Sequence, residues 1–174
     1  MVPVTVTAFI AAPREEVFRY LGDLASRPSF TDHYMKDLRL SRTRSYGEGA
    51  SARFRLAVPF ASEWVEVTIT RFEWPRLIFE KGRAGRLGRA TLSSVFELAV
   101  HGEGVTRVDL TTWAEDGTPL DSLKDALFRR RFLRRKGRVA LERLRRILEE
   151  PSGAALPRAT VAGYEPLKRA RFGG

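Results

Sequence analysis

The sequence contains no cysteine and only two histidines among its 174 residues. Without cysteine, the chain has no disulfide, no thiolate nucleophile and no cysteine-ligated metal. His33 and His101 stand far apart, and a zinc site built on them would need carboxylates at an unusual spacing. We therefore predict no metal and no cofactor. The lack of cysteine also favours a cytoplasmic location, where thiols are kept reduced.

Long apolar runs are missing as well. No segment approaches the roughly 20 apolar residues that cross a bilayer as a helix. Residues 1–16 lack a basic start, and their apolar side chains alternate with threonine, which is typical of a strand rather than a secretory leader. No serine stands in a Gly-x-Ser-x-Gly setting, so the sequence predicts no catalytic residue of that kind.

The net charge of +10 is placed unevenly along the chain. Residues 1–119 carry 16 basic and 15 acidic side chains, whereas residues 120–174 carry 15 basic and 6 acidic ones. We expect one globular domain over residues 1–150. Residues 151–174 are rich in Pro, Gly, Ala and basic residues and are expected to form a loosely ordered tail.

The order of patterns along the chain predicts an α+β fold. Alternation from Val4 to Ile10 indicates a strand, and two short helices are expected to follow, the first beginning near Pro13. Six further alternating segments lie between Lys36 and Ala114, separated by short turns. Strands in such a series form an antiparallel sheet, which must bury one face. A long helix, predicted over residues 120–150, is the element large enough to cover it.

The apolar stripe of this long helix contains arginine. Arg130 projects from the middle of the stripe and Arg134 from its edge when residues are placed 100° apart. A cation that faces the interior needs a partner, because burying it alone is very unfavourable. We consider two explanations. Either both side chains meet a polar ligand in a cavity, or they bend to solvent or pair with an internal glutamate such as Glu66 or Glu80.

Several motifs resemble those of the START-like (SRPBCC, Bet v 1-like) superfamily, within which the polyketide cyclase/dehydrase and lipid-transport group is most similar. The helix start Ala12-Pro13-Arg14-Glu15-Glu16-Val17-Phe18, the stretch from Asp23 to Phe30, and the turn and strand Trp74–Glu80 carry this resemblance, over roughly residues 2–149. It implies a helix-grip fold, in which a curved antiparallel seven-stranded sheet wraps around a long C-terminal helix, with two short helices after the first strand. It also implies a deep cavity for an apolar or amphipathic molecule.

The pattern and the resemblance together predict that the chain binds a hydrophobic or amphipathic small molecule, either lipid-like or polyketide-like. Arg130, with Arg134 beside it, is the predicted polar contact for this ligand. The apolar wall is predicted from the inward positions of the strands and the long helix: Phe54, Leu56, Val67, Ile69, Ile78, Phe96, Leu110, Leu123 and Leu127. The sequence does not name the ligand.

Two other functions stay open at this stage. The first is an aromatase/cyclase-type enzyme acting on a polyketide-like substrate through groups such as Arg130, Tyr34 or Glu66, so the sequence does not decide whether the chain is an enzyme. The second is an RNA- or ribosome-interaction module. Seven of the ten residues 129–138 are basic, which suits nucleic acid or an anionic membrane, although a solvated helix face is the favoured explanation. The sequence leaves the oligomeric state open.

Overall fold

The computed structural model describes residues 3–58, 61–84, 90–115, 123–150 and 155–162. Within these residues the chain forms seven strands, three α-helices and one short 3₁₀ helix, Leu24–Ser26. The strands are β1 (Val4–Ile10), β2 (Met35–Leu40), β3 (Ser51–Val58), β4 (Ala61–Glu73), β5 (Leu77–Ala84), β6 (Ala90–Val100) and β7 (Thr106–Glu115). The helices are α1 (Arg14–Leu21), α2 (Pro28–Thr31) and α3 (Leu123–Glu149).

The strands form one antiparallel sheet in the order β1-β7-β6-β5-β4-β3-β2. Strands β2 to β6 each pair with the next strand in the chain, as short turns dictate, and β1 pairs with β7. The sheet curls into a half-barrel with α3 at its inner face and the short helices after β1. The predicted helix-grip architecture is therefore confirmed.

Alternation along each strand produces the core. On β4, Val65 and Ile69 are fully buried whereas Trp64 is 46% exposed, because successive side chains point to opposite faces. The same rule buries Phe54 on β3 and Phe96 on β6. These inward side chains form one apolar cluster together with α1 and the second half of α3.

Helix α3 approaches the sheet most closely around Gly137. A Cβ atom at this position would lie 3.5 Å from both Leu110 Cδ2 and Val6 Cγ2, so the missing side chain lets the helix lie near β1 and β7. Ala140, Leu141 and Leu144 continue the buried side of the helix toward its end. No helix in the described part of the chain is long and apolar enough to cross a membrane.

The segment 155–162 differs from the loosely ordered tail that was expected. It runs beside β2, where Thr160 O accepts a hydrogen bond from Leu40 N at 2.8 Å and Ala162 N donates to Leu40 O at 2.8 Å. The Arg158 guanidinium contacts the Asp23 carboxylate at 2.8 Å and Ser26 Oγ at 3.0 Å. Backbone groups on an edge strand need partners, and this segment supplies them for Leu40 at the end of β2.

Candidate functional site

A band of polar side chains crosses the otherwise apolar inner face of the sheet. Glu80 on β5 pairs in register with Ser94 on β6, which pairs in turn with Thr112 on β7. Glu80 follows Ile78 by two residues and therefore points to the same inner side. Its side chain is only 5% exposed, so this strand carries a carboxylate into the core.

Arg27 meets this carboxylate from the irregular segment between the 3₁₀ helix and α2. Asp23 caps the 3₁₀ helix, since its carboxylate accepts hydrogen bonds from Ala25 N at 3.1 Å and Ser26 Oγ at 3.0 Å. Pro28 then begins α2. The two short elements direct Arg27 inward, and the residue is 3% exposed.

The Arg27–Glu80 pair is tightly bonded. Arg27 Nη2 donates to Glu80 Oε1 at 2.5 Å and to the carbonyl oxygen of Leu21 at 3.1 Å, and Ser94 Oγ donates to Glu80 Oε2 at 3.1 Å. The guanidinium carbon lies 5.5 Å from the ring centre of Phe30 and 5.1 Å from that of Phe96. Aromatic faces at this distance stabilise a cation that has lost its water. Arg27 Nε is buried, and no described residue accepts a hydrogen bond from it.

A cavity of about 40 Å³ lies between this pair and α3. A second cavity of about 30 Å³ lies on the β3–β4 side and shares Arg27 and Glu80 with the first. Both have mainly apolar walls. The first is lined by Arg27, Phe30, Thr31, Tyr34, Met35, Leu56, Glu80, Leu92, Ser94, Phe96, Leu110, Thr112, Leu133, Gly137, Ala140 and Leu141.

Tyr34 adds a hydroxyl group to the polar end of the first cavity. The residue is 8% exposed, and its hydroxyl has no hydrogen-bond partner among the described residues. Burial raises the pKa of Tyr34, while Arg27 acts to lower it and Glu80 to raise it further. The hydroxyl therefore stays protonated near neutral pH and is available as a donor.

The structure places five of the predicted wall residues at the cavities. Leu56, Phe96 and Leu110 line the first cavity, and Phe54 and Val67 line the second. Ile69 and Ile78 are fully buried within the core cluster instead. The side chains of Leu123 and Leu127 lie outside the described residues.

The two arginines predicted as the polar contact, Arg130 and Arg134, are exposed. Among the described residues, the cation that lines the cavity is Arg27. Arg130 lies on the side of the helix that Gly137 and Leu141 occupy further along, but the described sheet does not cover the helix at Arg130. Glu66, a possible internal partner on the sequence alone, is exposed on β4 and accepts a hydrogen bond from Ser41 Oγ at 3.2 Å.

A sequence signal for the buried pair did exist on β5. Because Ile78 was expected inward, the period of two also places Glu80 inward, and a core carboxylate requires a partner. Arg27 carried no comparable signal. It lies in a short irregular segment, where neither the strand nor the helix period applies.

Residues just after α2 make polar contacts with α3 beside the first cavity. His33 Nε2 lies 3.2 Å from the carbonyl oxygen of Lys136, and Arg143 forms an ion pair with Asp32. His33 is half-buried, and its Nδ1 is buried without a hydrogen-bond partner among the described residues. Burial lowers the pKa of His33; the charges of Arg143 and Lys136 also lower it, and that of Asp32 raises it.

The exposed surface of α3 over residues 130–138 is basic. Arg130, Arg131, Arg134, Arg135 and Arg138 are all exposed, and none forms an ion pair with another described residue. Between them, Phe132 is half-buried, with the Lys136 ammonium 5.7 Å from its ring centre. This face is physically separate from the buried Arg27–Glu80 pair.

The curled sheet around a C-terminal helix, with a cavity between them, defines a helix-grip protein of the START/Bet v 1-like class. A family model for polyketide cyclase/dehydrase and lipid transport matches residues 1–149, and the chain belongs to this family. The superfamily resemblance of the sequence is thereby confirmed. No curated protein is significantly similar to the chain in sequence.

Similar solved structures support the fold. A START superfamily protein from Mycobacterium smegmatis is 13% identical, with a TM-score of 0.65 over 86% of this chain and 99% of that one. A protein from Thermus thermophilus is 18% identical, with a TM-score of 0.65 over 87% and 99%. The major latex-like protein 151 of Panax ginseng is 10% identical, with a TM-score of 0.64 over 84% and 97%. At these identities the likeness concerns the fold alone.

The buried pair yields a prediction about stability. Arg27→Met leaves the Glu80 charge buried without its partner and should lower the free energy of unfolding by about 3–5 kcal/mol. The double variant Arg27→Met, Glu80→Gln should recover most of this loss, because no buried charge remains. Denaturant unfolding measures both. Arg76→Ala, which removes an ion pair from an arginine side chain that is 70% exposed, is the control and should cost less than about 1 kcal/mol. Equal losses in Arg27→Met and Arg76→Ala would contradict the prediction.

His33 yields a prediction about pH. Its pKa is lowered from 6.5 in the folded chain, so the unfolded chain takes up the proton first as the pH falls. The stability of the natural protein should therefore decrease below about pH 6.5, relative to a His33→Gln variant that does not titrate. Unfolding curves of both proteins at several pH values test this. His101→Gln, at an exposed turn, is the control and should follow the natural protein. The same pH profile in all three proteins would refute the assignment.

Proposed function

We propose that the protein binds a small hydrophobic or amphipathic molecule, lipid-like or polyketide-like, between the sheet and α3. The observation that carries this proposal is the mainly apolar cavity that ends in the polar groups of Arg27, Glu80, Ser94 and Tyr34. An apolar wall with a few convergent polar groups is typical of small-molecule sites. Membership of a family described by polyketide cyclisation and lipid transport supports the same interpretation.

The cavity is smaller than the ligands that we propose for it. At about 40 Å³ it holds a few water molecules, whereas pockets for drug-sized ligands are usually about 300–1,000 Å³. A ligand of lipid or polyketide size must therefore widen the space by moving a helix away from the sheet. In this widened cavity, the ligand would contact the same polar end and the same apolar walls that are described above.

The enzyme alternative, a polyketide aromatase/cyclase, has less support. Of the three groups that the sequence suggests for it, Tyr34 lines the cavity, whereas Arg130 and Glu66 are exposed. Glu80 lies at the cavity but is engaged by Arg27 and Ser94. No residue is therefore assigned a catalytic role, and binding is the function that we propose.

Thr112 and Thr111 provide a matched test on one strand. Thr112 lines the cavity, whereas Thr111 points to the other face of β7, where its hydroxyl lies 2.9 Å from that of Thr5. Thr112→Leu should fill part of the cavity and weaken binding of N-phenyl-1-naphthylamine, followed by its fluorescence, by about tenfold, and Thr111→Leu should not. Native mass spectrometry of the purified protein should show a bound small molecule that is absent from Thr112→Leu. No probe binding to the natural protein, or equal binding to both variants, would defeat the proposal.

A second candidate function is an RNA- or ribosome-interaction module, favoured by the exposed arginines of α3. Five arginines over residues 130–138 span about 12 Å of helix, and no described acidic residue neutralises them. Phosphate groups bind such a surface through counterion release. An RNA partner would be met in the cytoplasm, the location that the cysteine-free composition favours.

The salt dependence of RNA binding tests this candidate. Arg135→Glu should weaken binding of a fluorescently labelled RNA, because the variant replaces a cation that pairs with phosphate by an anion that repels it, and affinity should fall steeply with rising salt. The control is Arg42→Glu, which makes the same charge change at an exposed position before β3. Anisotropy titrations at two salt concentrations give both quantities. If both variants weaken RNA binding equally, the binding depends on net charge alone and this function is wrong.

A further inference from the structure

The polar end of the first cavity presents hydrogen-bond donors that the protein does not use. Both hydrogen bonds of the Arg27 guanidinium leave from Nη2, so the N–H groups on Nε and Nη1 have no acceptor among the described residues. The Tyr34 hydroxyl likewise has no described partner. Both residues are more than nine-tenths buried and both line the cavity. Arg27 Nε is itself fully buried without an acceptor among the described residues. Because buried polar groups in proteins almost always have partners, the donors at this cavity indicate a ligand acceptor.

The charge at this end of the cavity is balanced. Arg27 and Glu80 are the two charged residues among the described residues that line either cavity, and they form an ion pair with each other. A ligand carboxylate or phosphate would place a second anion beside one guanidinium, and one negative charge would remain buried without compensation. Such a charge is strongly unfavourable in a site closed to water. A neutral acceptor meets the unused donors without this cost.

We propose, on the basis of the ligand binding proposed above, that this site selects a ligand with a neutral carbonyl oxygen, as in a ketone or an ester, and rejects carboxylates and phosphates. The carbonyl oxygen accepts hydrogen bonds from the Tyr34 hydroxyl and from an unused Arg27 N–H. The rings of Phe30 and Phe96, which flank the guanidinium, contact the apolar part of the ligand next to the carbonyl. Glu80 keeps Arg27 in place and cancels its charge.

Three probes of matched shape separate these features. 2-Acetylnaphthalene carries a neutral carbonyl group, 2-naphthoate carries a carboxylate, and 2-ethylnaphthalene carries no polar group. Fluorescence titration of the natural protein should give the tightest binding for 2-acetylnaphthalene, about tenfold tighter than for 2-ethylnaphthalene, which corresponds to one satisfied pair of donors. Binding of 2-naphthoate should be weaker than that of both neutral probes.

Two variants test the assigned roles. Glu80→Gln leaves Arg27 with an unbalanced positive charge and should reverse the preference, so that 2-naphthoate binds more tightly than 2-acetylnaphthalene. Tyr34→Phe removes one donor and keeps the ring, and it should weaken 2-acetylnaphthalene by about five- to tenfold while leaving 2-ethylnaphthalene unchanged. Tyr34→Phe also serves where Glu80→Gln does not fold, because it removes no buried charge.

The outcomes distinguish this inference from the proposed function. If none of the three probes binds the natural protein, ligand binding itself fails. If they bind but 2-naphthoate equals or exceeds 2-acetylnaphthalene, ligand binding stands and selection of a neutral carbonyl is wrong. The inference is also wrong if Tyr34→Phe weakens 2-ethylnaphthalene as much as 2-acetylnaphthalene, because Tyr34 then acts only through packing.

Discussion

The buried contact between Arg27 and Glu80 connects the sheet to the helical segment that closes it. Glu80 projects from β5 into the core, and without the guanidinium its charge would have no partner there. Arg27 also donates to the carbonyl oxygen of Leu21 at the end of α1. The pair therefore fixes where the chain passes from α1 to α2 relative to the sheet, and it determines the polar character of the cavity. An apolar pair of similar size would fill this space but would offer no donor to a ligand.

Among the described residues, α3 contacts only part of the inner sheet surface, and this leaves room for the cavity. The helix lies against β1 and comes close to Leu110 on β7. Gly137 and Ala140 have little or no side chain, so the side of the helix that faces the sheet fills little space there. The inner faces of β5 and β6 are left for other elements to cover. Arg27, Phe30 and Tyr34 reach this area from the short helical segments, whose few side chains do not fill it. The cavity therefore remains because the residues of α3 that face the sheet are small and because the short helical segments carry too few side chains to fill it.

Alternation and helical period predicted the architecture, because both depend on which face of an element is buried. Val65, Ile69 and Phe96 lie inward as their spacing requires. The same reasoning placed Arg130 on the inward side of the helix, but a helical projection assumes that a neighbour covers the stripe along its whole length. The structure covers this side of α3 at Gly137 and Leu141 but leaves Arg130 exposed. A sequence pattern states the direction of a side chain but not whether another element lies in that direction.

The polar end of the site was harder to predict for a related reason. Glu80 follows the strand period, so its inward position was predictable, but its partner could not be identified by period. Arg27 lies between the 3₁₀ helix and α2, and its direction depends on the Asp23 cap and on Pro28, which bend the chain within a few residues. Arg130, in a regular helix, is exposed, whereas Arg27, in an irregular segment, is buried, and of these two only Arg27 forms an ion pair with a described carboxylate.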